Sequence, residues 1–272
     1  MRISEAKATL RQLGVRPSKR LGQSFLVRDS VAARIARAAG EGGSVLEVGP
    51  GLGALTARLL ERASQLCCVE ISRELCGYLQ GREDLRDARV VQADFLQVNP
   101  TELPGYPFIR FISNLPYSIS TPALMRLTEP AFSKVGLAVV MLQREVARRI
   151  TASPGCGDYG RLTLALWPRF SAEAILDAEP RDFYPQPAVR SRVLVLRRRD
   201  APLVPDHLSD RFSWLVRVGF ASRRKTLLNN LSVVMERLRA SRLLDELGVH
   251  HKARAEELQP ELFVRLAERL PL

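Results

Sequence analysis

The sequence predicts an α/β fold, a doubly wound and mostly parallel sheet, with a small C-terminal all-helical domain. Three observations carry that expectation. Short apolar runs alternate with helical patterns through the middle of the chain. The first of these runs opens directly into a glycine-rich turn. From Asp206 onward the pattern is almost wholly helical. Strand–helix–strand alternation at this spacing builds parallel sheets with helical crossovers.

The elements follow in order. Strands are predicted at Ser44–Val48, Leu66–Ile71, Arg89–Ala93, Phe108–Ser113 and Gly136–Leu142. Their apolar, β-branched content suits strands buried on both faces. Helices are predicted at Val31–Ala39, Ala54–Arg62, Arg73–Gln80, Thr121–Leu127 and Arg144–Ile150. Ser120–Thr121–Pro122 reads as a capped helix start with proline in the first turn. Two further strands, Ala172–Ala178 and Val193–Leu196, flank the proline-rich loop Pro180–Pro187. Arg198–Pro205 reads as a linker. The expected domains are 1–198, with a basic N-terminal arm of about 1–28, and 206–272.

Composition narrows the function. The chain has 272 residues with 46% apolar and 26% charged content, ordinary for a globular protein. Its net charge is +12. Residues 1–40 hold nine Lys+Arg against two Asp+Glu, and residues 186–272 hold 17 against 10. The stretch between them holds 15 against 17. Two basic ends around a near-neutral body favour a polyanionic partner, nucleic acid first. The apolar run Val135–Leu142 is far shorter than a membrane span. The first residues show no apolar core of a secretory signal, and the four cysteines have no CxxC spacing. A cytoplasmic, metal-free monomer with reduced thiols and no membrane contact is the resulting expectation.

Two motifs carry chemistry. Strand Ser44–Val48 runs into Gly49-Pro-Gly51-Leu-Gly53, a turn that lets the backbone approach a nucleotide cofactor. Glu70 ends the next strand, where a carboxylate can accept hydrogen bonds from ribose hydroxyls. Asp94 follows the third strand, suited to an adenine amino group with Phe95 against the ring. These features leave NAD and S-adenosylmethionine (SAM) both open. The second motif, Asn114-Leu115-Pro116-Tyr117, separates them. The amino group of a nucleobase is a poor nucleophile because its lone pair is delocalised into the ring. The Asn114 oxygen and the Pro116 carbonyl can accept its two N–H donors and aim the lone pair, while Tyr117 stacks on the base. Alignment and electrostatics then suffice without a strong general base.

With these residues in view, the sequence resembles the KsgA/RsmA family of ribosomal RNA adenine dimethyltransferases. The likeness runs through KRLGQSFL (19–26), EVGPGLGALT (47–56), VEIS (69–72), QADF (92–95), NLPYSIST (114–121), FYPQPAVRS (183–191) and FASRRKTLLNNL (220–231). It implies a class I SAM-dependent methyltransferase sheet. It also implies an enzyme that dimethylates two adjacent adenosines near the 3′ end of small-subunit (16S) rRNA during ribosome biogenesis. By this resemblance Gln23, Ser24, Leu26, Gly49, Gly51, Glu70, Ile71, Asp94, Phe95 and Asn114 contact SAM or lie beside it. Phe183 is implied as a second aromatic wall opposite Tyr117. The family commonly has Asn where this chain has Ser24 and Ser118, which puts the contact at residue 24 in question.

The basic ends then gain candidates for RNA contact: Arg16, Lys19 and Arg20 near the N-terminus, and Arg223, Arg224 and Lys225 at the start of a helix-like run. Three alternatives stand beside the main reading. They are an Erm-type enzyme acting on large-subunit rRNA, a nicotinamide-dependent dehydrogenase, and a non-catalytic ribosome-assembly factor. The dehydrogenase shares the glycine turn and Glu70 but gives no reason for Asn114–Tyr117.

Overall fold

The computed structural model describes residues 1–18 and 22–270. The chain begins with α1 (Ile3–Gln12), β1 (Phe25–Leu26) and α2 (Asp29–Ala39). The central alternation is β2 (Ser44–Val48), α3 (Ala54–Leu60), β3 (Gln65–Glu70), α4 (Arg73–Gln80), β4 (Ala88–Gln92), β5 (Arg110–Asn114), α5 (Ser120–Arg126) and β6 (Leu137–Gln143). Then come α6 (Arg144–Ile150), α7 (Arg161–Leu166), β7 (Phe170–Ala178), β8 (Phe183–Tyr184) and β9 (Ser191–Arg198). The chain ends with α8 (Ser209–Gly219), α9 (Leu227–Leu231), α10 (Arg237–Glu246) and α11 (Pro260–Arg269).

The seven-stranded sheet has the order β4-β3-β2-β5-β6-β9-β7. Strands β4, β3, β2, β5 and β6 run parallel, and β9 adds antiparallel to β6 with Val139 opposite Val195. The middle strands β2, β5 and β6 are almost wholly buried, as their apolar runs require. Strand β4 is different: Arg89 and Gln92 are exposed, because an edge strand has one neighbour and one solvated side. The expectation of burial on both faces fails there.

One local expectation is corrected. Ser120 is not the cap of α5; Ile119 holds that position, and the Ser120 hydroxyl donates to the Tyr117 carbonyl at 3.2 Å. The N-terminal arm is, over residues 3–12, a helix. Ala6 and Leu10 of α1 are buried against Phe25, Val27, Leu52 and Leu75. A second antiparallel ribbon, unread in the sequence, joins Phe25 to Tyr184 and Leu26 to Phe183.

The chain divides into two compact units, residues 1–147 with 172–198 and residues 148–171 with 199–272. The expected boundary left 148–171 in the first domain. The structure assigns that segment to the helical unit, because Tyr159 and Leu164 are fully buried there among Phe212, Phe220 and Phe263. The Tyr159 hydroxyl donates to the Leu258 carbonyl at 3.1 Å, and its ring meets Phe220 edge-on at 6.0 Å. Residues 199–205 are likewise part of this unit rather than a free linker, with Val204 in its core.

Candidate active site

The parallel order reverses at β2, which has β3 on one side and β5 on the other. Ligands of open α/β sheets sit beyond the carboxyl ends of strands at such a switch point. A cavity of about 330 Å³ lies there, lined by the glycine turn, the ends of β3 and β5, the loop after β4 and residues 22–26. That volume is in the range of small-molecule sites, roughly 300–1,000 Å³.

On the glycine side, Gly49 and Gly51 line the cavity directly. Gly51 has φ +58°, and a Cβ there would come within 2.8 Å of the Phe25 ring. Only glycine lets the turn and the Phe25 segment close together. The Gly51 amide donates to Glu70 Oε2 at 3.1 Å, and the Ser72 amide to Glu70 Oε1 at 3.0 Å. Glu70 is therefore a braced wall residue, 4% exposed, not a surface acid. Burial pushes its carboxyl above the ordinary range, and the backbone amides pull it back. A carboxylate has about four lone-pair sites, so acceptor capacity remains for a ribose hydroxyl.

Ile71, Asp94 and Phe95 also line the cavity. Asp94 Oδ1 accepts from the Leu96 amide at 2.9 Å, which fixes the carboxylate at the cavity rim. Phe95 is anchored by Phe111 and Phe132, with ring centroids 5.6 and 5.9 Å away, and the Arg126 guanidinium lies 5.1 Å over its face.

The strand β5 ends at Asn114, and Asn114, Leu115, Pro116 and Tyr117 form the opposite wall. Leu115 is buried, while Asn114, Pro116 and Tyr117 are half-buried. Asn114 Nδ2 donates to the Ser24 carbonyl at 3.2 Å. The Tyr117 hydroxyl and Ser191 Oγ are 2.6 Å apart, and burial raises the phenol above its usual range. Gln23, Ser24 and Leu26 complete the lining; the Gln23 side chain accepts from the Ser18 amide at 3.0 Å.

Several expected residues stand elsewhere. Phe183 does not line the cavity. It is fully buried in the core with Leu26, Ile35, Val139 and Met141, because its strand β8 pairs with β1 and directs that ring into the sheet packing. Lys19 and Arg20 lie outside the described residues. Arg16 is exposed. In the helical unit, Arg223, Arg224 and Lys225 precede α9 in a turn rather than starting the helix, which Thr226 caps by accepting from the Asn229 amide at 3.2 Å. Arg223 is already engaged: it donates to the carbonyls of Gly157 and Tyr159 at 2.7 and 3.0 Å and lies 3.3 Å from Glu256. Arg224 and Lys225 are exposed.

Sequence reasoning missed Glu47 as a site residue. It lines the cavity from β2 at 1% exposure, and the Cys68 thiol donates to it at 3.4 Å. Burial pushes its carboxyl up to about 7, and the neighbouring Glu70 adds to that rise. The signal was present: an acid within the otherwise apolar run Val45-Leu46-Glu47-Val48 needs a reason. Among the described residues there is no cluster of three metal-ligating side chains, and no helix is long and apolar enough to cross a membrane.

A glycine turn at the sheet's switch point, an acid ending β3, another after β4 and Asn-Leu-Pro-Tyr after β5 define a class I SAM-dependent methyltransferase. The groups present fit an adenosine-bearing cofactor, since buried Glu70 retains acceptor capacity and Asp94 and Phe95 line the same cavity. The chain belongs to the ribosomal RNA adenine dimethylase family, whose model matches residues 15–271. It is 38% identical to the ribosomal RNA small subunit methyltransferase A of Moorella thermoacetica over 276 residues, covering 97% of this chain and 96% of that protein. The protein of the same name from Bordetella pertussis is 41% identical over 258 residues, 93% of each chain. Among solved structures it resembles the 23S rRNA methyltransferase ErmE, with TM-score 0.69 and 33% identity over 90% of this chain and 99% of that one. A dimethyladenosine transferase from Plasmodium falciparum shares the fold, with TM-score 0.72 and 23% identity over 89% of this chain and 95% of that one.

Proposed function

We propose that this protein is the SAM-dependent enzyme that dimethylates the exocyclic amino groups of two adjacent adenosines near the 3′ end of small-subunit rRNA. It acts as a cytoplasmic monomer during subunit biogenesis. The observation that carries the reading is one cavity with Glu70 and Asp94 on one side and Asn114–Tyr117 on the other.

SAM, when bound, supplies a methyl carbon already activated by its sulfonium. Glu70 holds the ribose hydroxyls, Asp94 the adenine amino group, and Phe95 gives an apolar surface for the ring. Asn114 Oδ1 and the Pro116 carbonyl accept the two N–H donors of the target adenosine. That geometry turns the nitrogen lone pair toward the methyl donor. Tyr117, held at its hydroxyl by Ser191, stacks on the everted base. Leu115 is buried and anchors the loop in the protein interior. Arg16, Lys19, Arg20, Arg224 and Lys225 contribute phosphate contacts that position the substrate.

The likeness to ErmE keeps a large-subunit substrate as the second reading. Both are tested together by offering SAM with small or large subunits that lack the modification, followed by mass spectrometry of the rRNA. Dimethyladenosine in small-subunit rRNA alone is the expected result, and its appearance in large-subunit rRNA alone reverses the assignment. Asn114→Ala should lose at least about a hundred-fold in turnover while melting as the parent does. Full dimethylation by the folded variant would refute the pocket.

A further inference from the structure

Ser24 lines the cavity, and its hydroxyl proton is already engaged. Ser24 Oγ donates to the Pro185 carbonyl at 2.7 Å. The register of the β1–β8 ribbon explains the bond. Phe25 opposes Tyr184, so Ser24 meets Pro185, which has no N–H with which to continue the ladder. The serine hydroxyl instead ties the two segments at this end of the ribbon by donating to the Pro185 carbonyl.

The same residue reaches the catalytic loop through its main chain. Its carbonyl accepts from Asn114 Nδ2 at 3.2 Å. A carbonyl only accepts, so this contact selects the NH₂ end of the Asn114 amide. The oxygen then faces the cavity as the acceptor. The reverse orientation would set two acceptors against each other. Gly22 keeps the segment close enough for the contact: a Cβ there would stand 2.8 Å from the Tyr117 nitrogen and 2.7 Å from the Ser118 nitrogen. The segment therefore lies directly on the backbone of the Asn114–Ser118 loop.

We propose that Ser24 is a positioning residue for Asn114. Its hydroxyl moors the segment to the Pro185 loop, and its carbonyl holds the Asn114 amide with Oδ1 presented to the target amino group. This deepens the proposed function and rests on it for the identity of that amino group.

Three variants test it. Ser24→Ala should lower kcat about ten-fold, the scale of a single hydrogen bond, with KM and Kd for SAM unchanged within about two-fold. Ser24→Thr, which keeps the hydroxyl, should restore kcat. In isotope-labelled protein, the Asn114 side-chain NH₂ resonances are assigned by their disappearance in Asn114→Asp. They should exchange slowly with solvent in the parent and fast in Ser24→Ala. Weaker SAM binding at unchanged kcat would make Ser24 a direct cofactor contact and overturn the proposal. Unchanged kcat with unchanged binding would overturn it as well. If Ser24→Ala does not fold, an unprotected Asn114 amide in the parent refutes the proposal without it. If the parent methylates no subunit, the rRNA reading falls, while amide exchange still decides the role of Ser24.

Discussion

Glu47 shows what one buried carboxyl does to the pH response of the whole chain. Folded Glu47 keeps its proton up to about pH 7, whereas the unfolded group releases it near its ordinary 4.5. The folded state thus binds more protons between those values. The stability contributed by this group is present below 4.5 and is lost as pH rises through about 7. The loss is on the order of 3 kcal/mol at alkaline pH. Glu47→Gln removes the titration and should flatten the fall in stability across this window, read from urea midpoints at acid and alkaline pH. An unchanged slope would show that Glu47 is not the group responsible. At this scale the sequence singled out the acid or amide that follows an apolar strand, and Glu70, Asp94 and Asn114 all line the cavity. It was silent on Ser191 and misleading on Phe183. The face a side chain takes in a two-residue strand depends on a partner far away in the chain, Leu26 in the case of Phe183, and no periodicity encodes that.

The predicted strands and helices of the sheet agree with the observed ones to within two residues at nearly every end, because long apolar runs and 3.6-residue patterns are local signals. The β1–β8 ribbon has neither, yet it seats Phe25 against the glycine turn. Gly51→Ala should therefore act on both sides of that contact. It places a side chain at φ +58° and drives Cβ into the Phe25 ring. The expected cost is about 1–3 kcal/mol in stability, with SAM binding weakened at least ten-fold by calorimetry. A variant that binds SAM as the parent does would show that the turn tolerates the displacement. In the helical unit, buried Asn230 performs a comparable bracing, donating to the carbonyls of Gly219 and Ser222 at 2.7 and 3.1 Å just before the basic turn.

The domain boundary was the least legible feature of the whole molecule. Residues 148–171 sit between sheet strands in sequence but complete the helical core through Tyr159, Leu164 and Trp167. A chain ended at Arg198 removes Phe212, Phe220 and Phe263 from around them. That fragment should aggregate or expose hydrophobic surface to a reporter dye, and a soluble, cooperatively melting fragment would contradict the unit assignment. Net charge acts at the same scale. Arg224→Glu with Lys225→Glu should weaken rRNA binding and reduce the slope of log affinity against log salt by about one for each phosphate no longer neutralised. An unaltered slope would remove these two cations from the interface. Arg223→Glu should instead destabilise the unit, since its partners are the protein's own carbonyls.

The segment 22–26 rests on the glycine turn through Phe25 and on the Asn114–Ser118 loop through Gly22. One short stretch of chain thus touches both halves of the cavity. A ligand that changed how this stretch is seated at one half would alter the free energy of filling the other. Any such coupling would be reciprocal: the factor by which SAM changed rRNA affinity would equal the factor by which rRNA changed SAM affinity. The segment is one physical element shared by the two halves of the cavity.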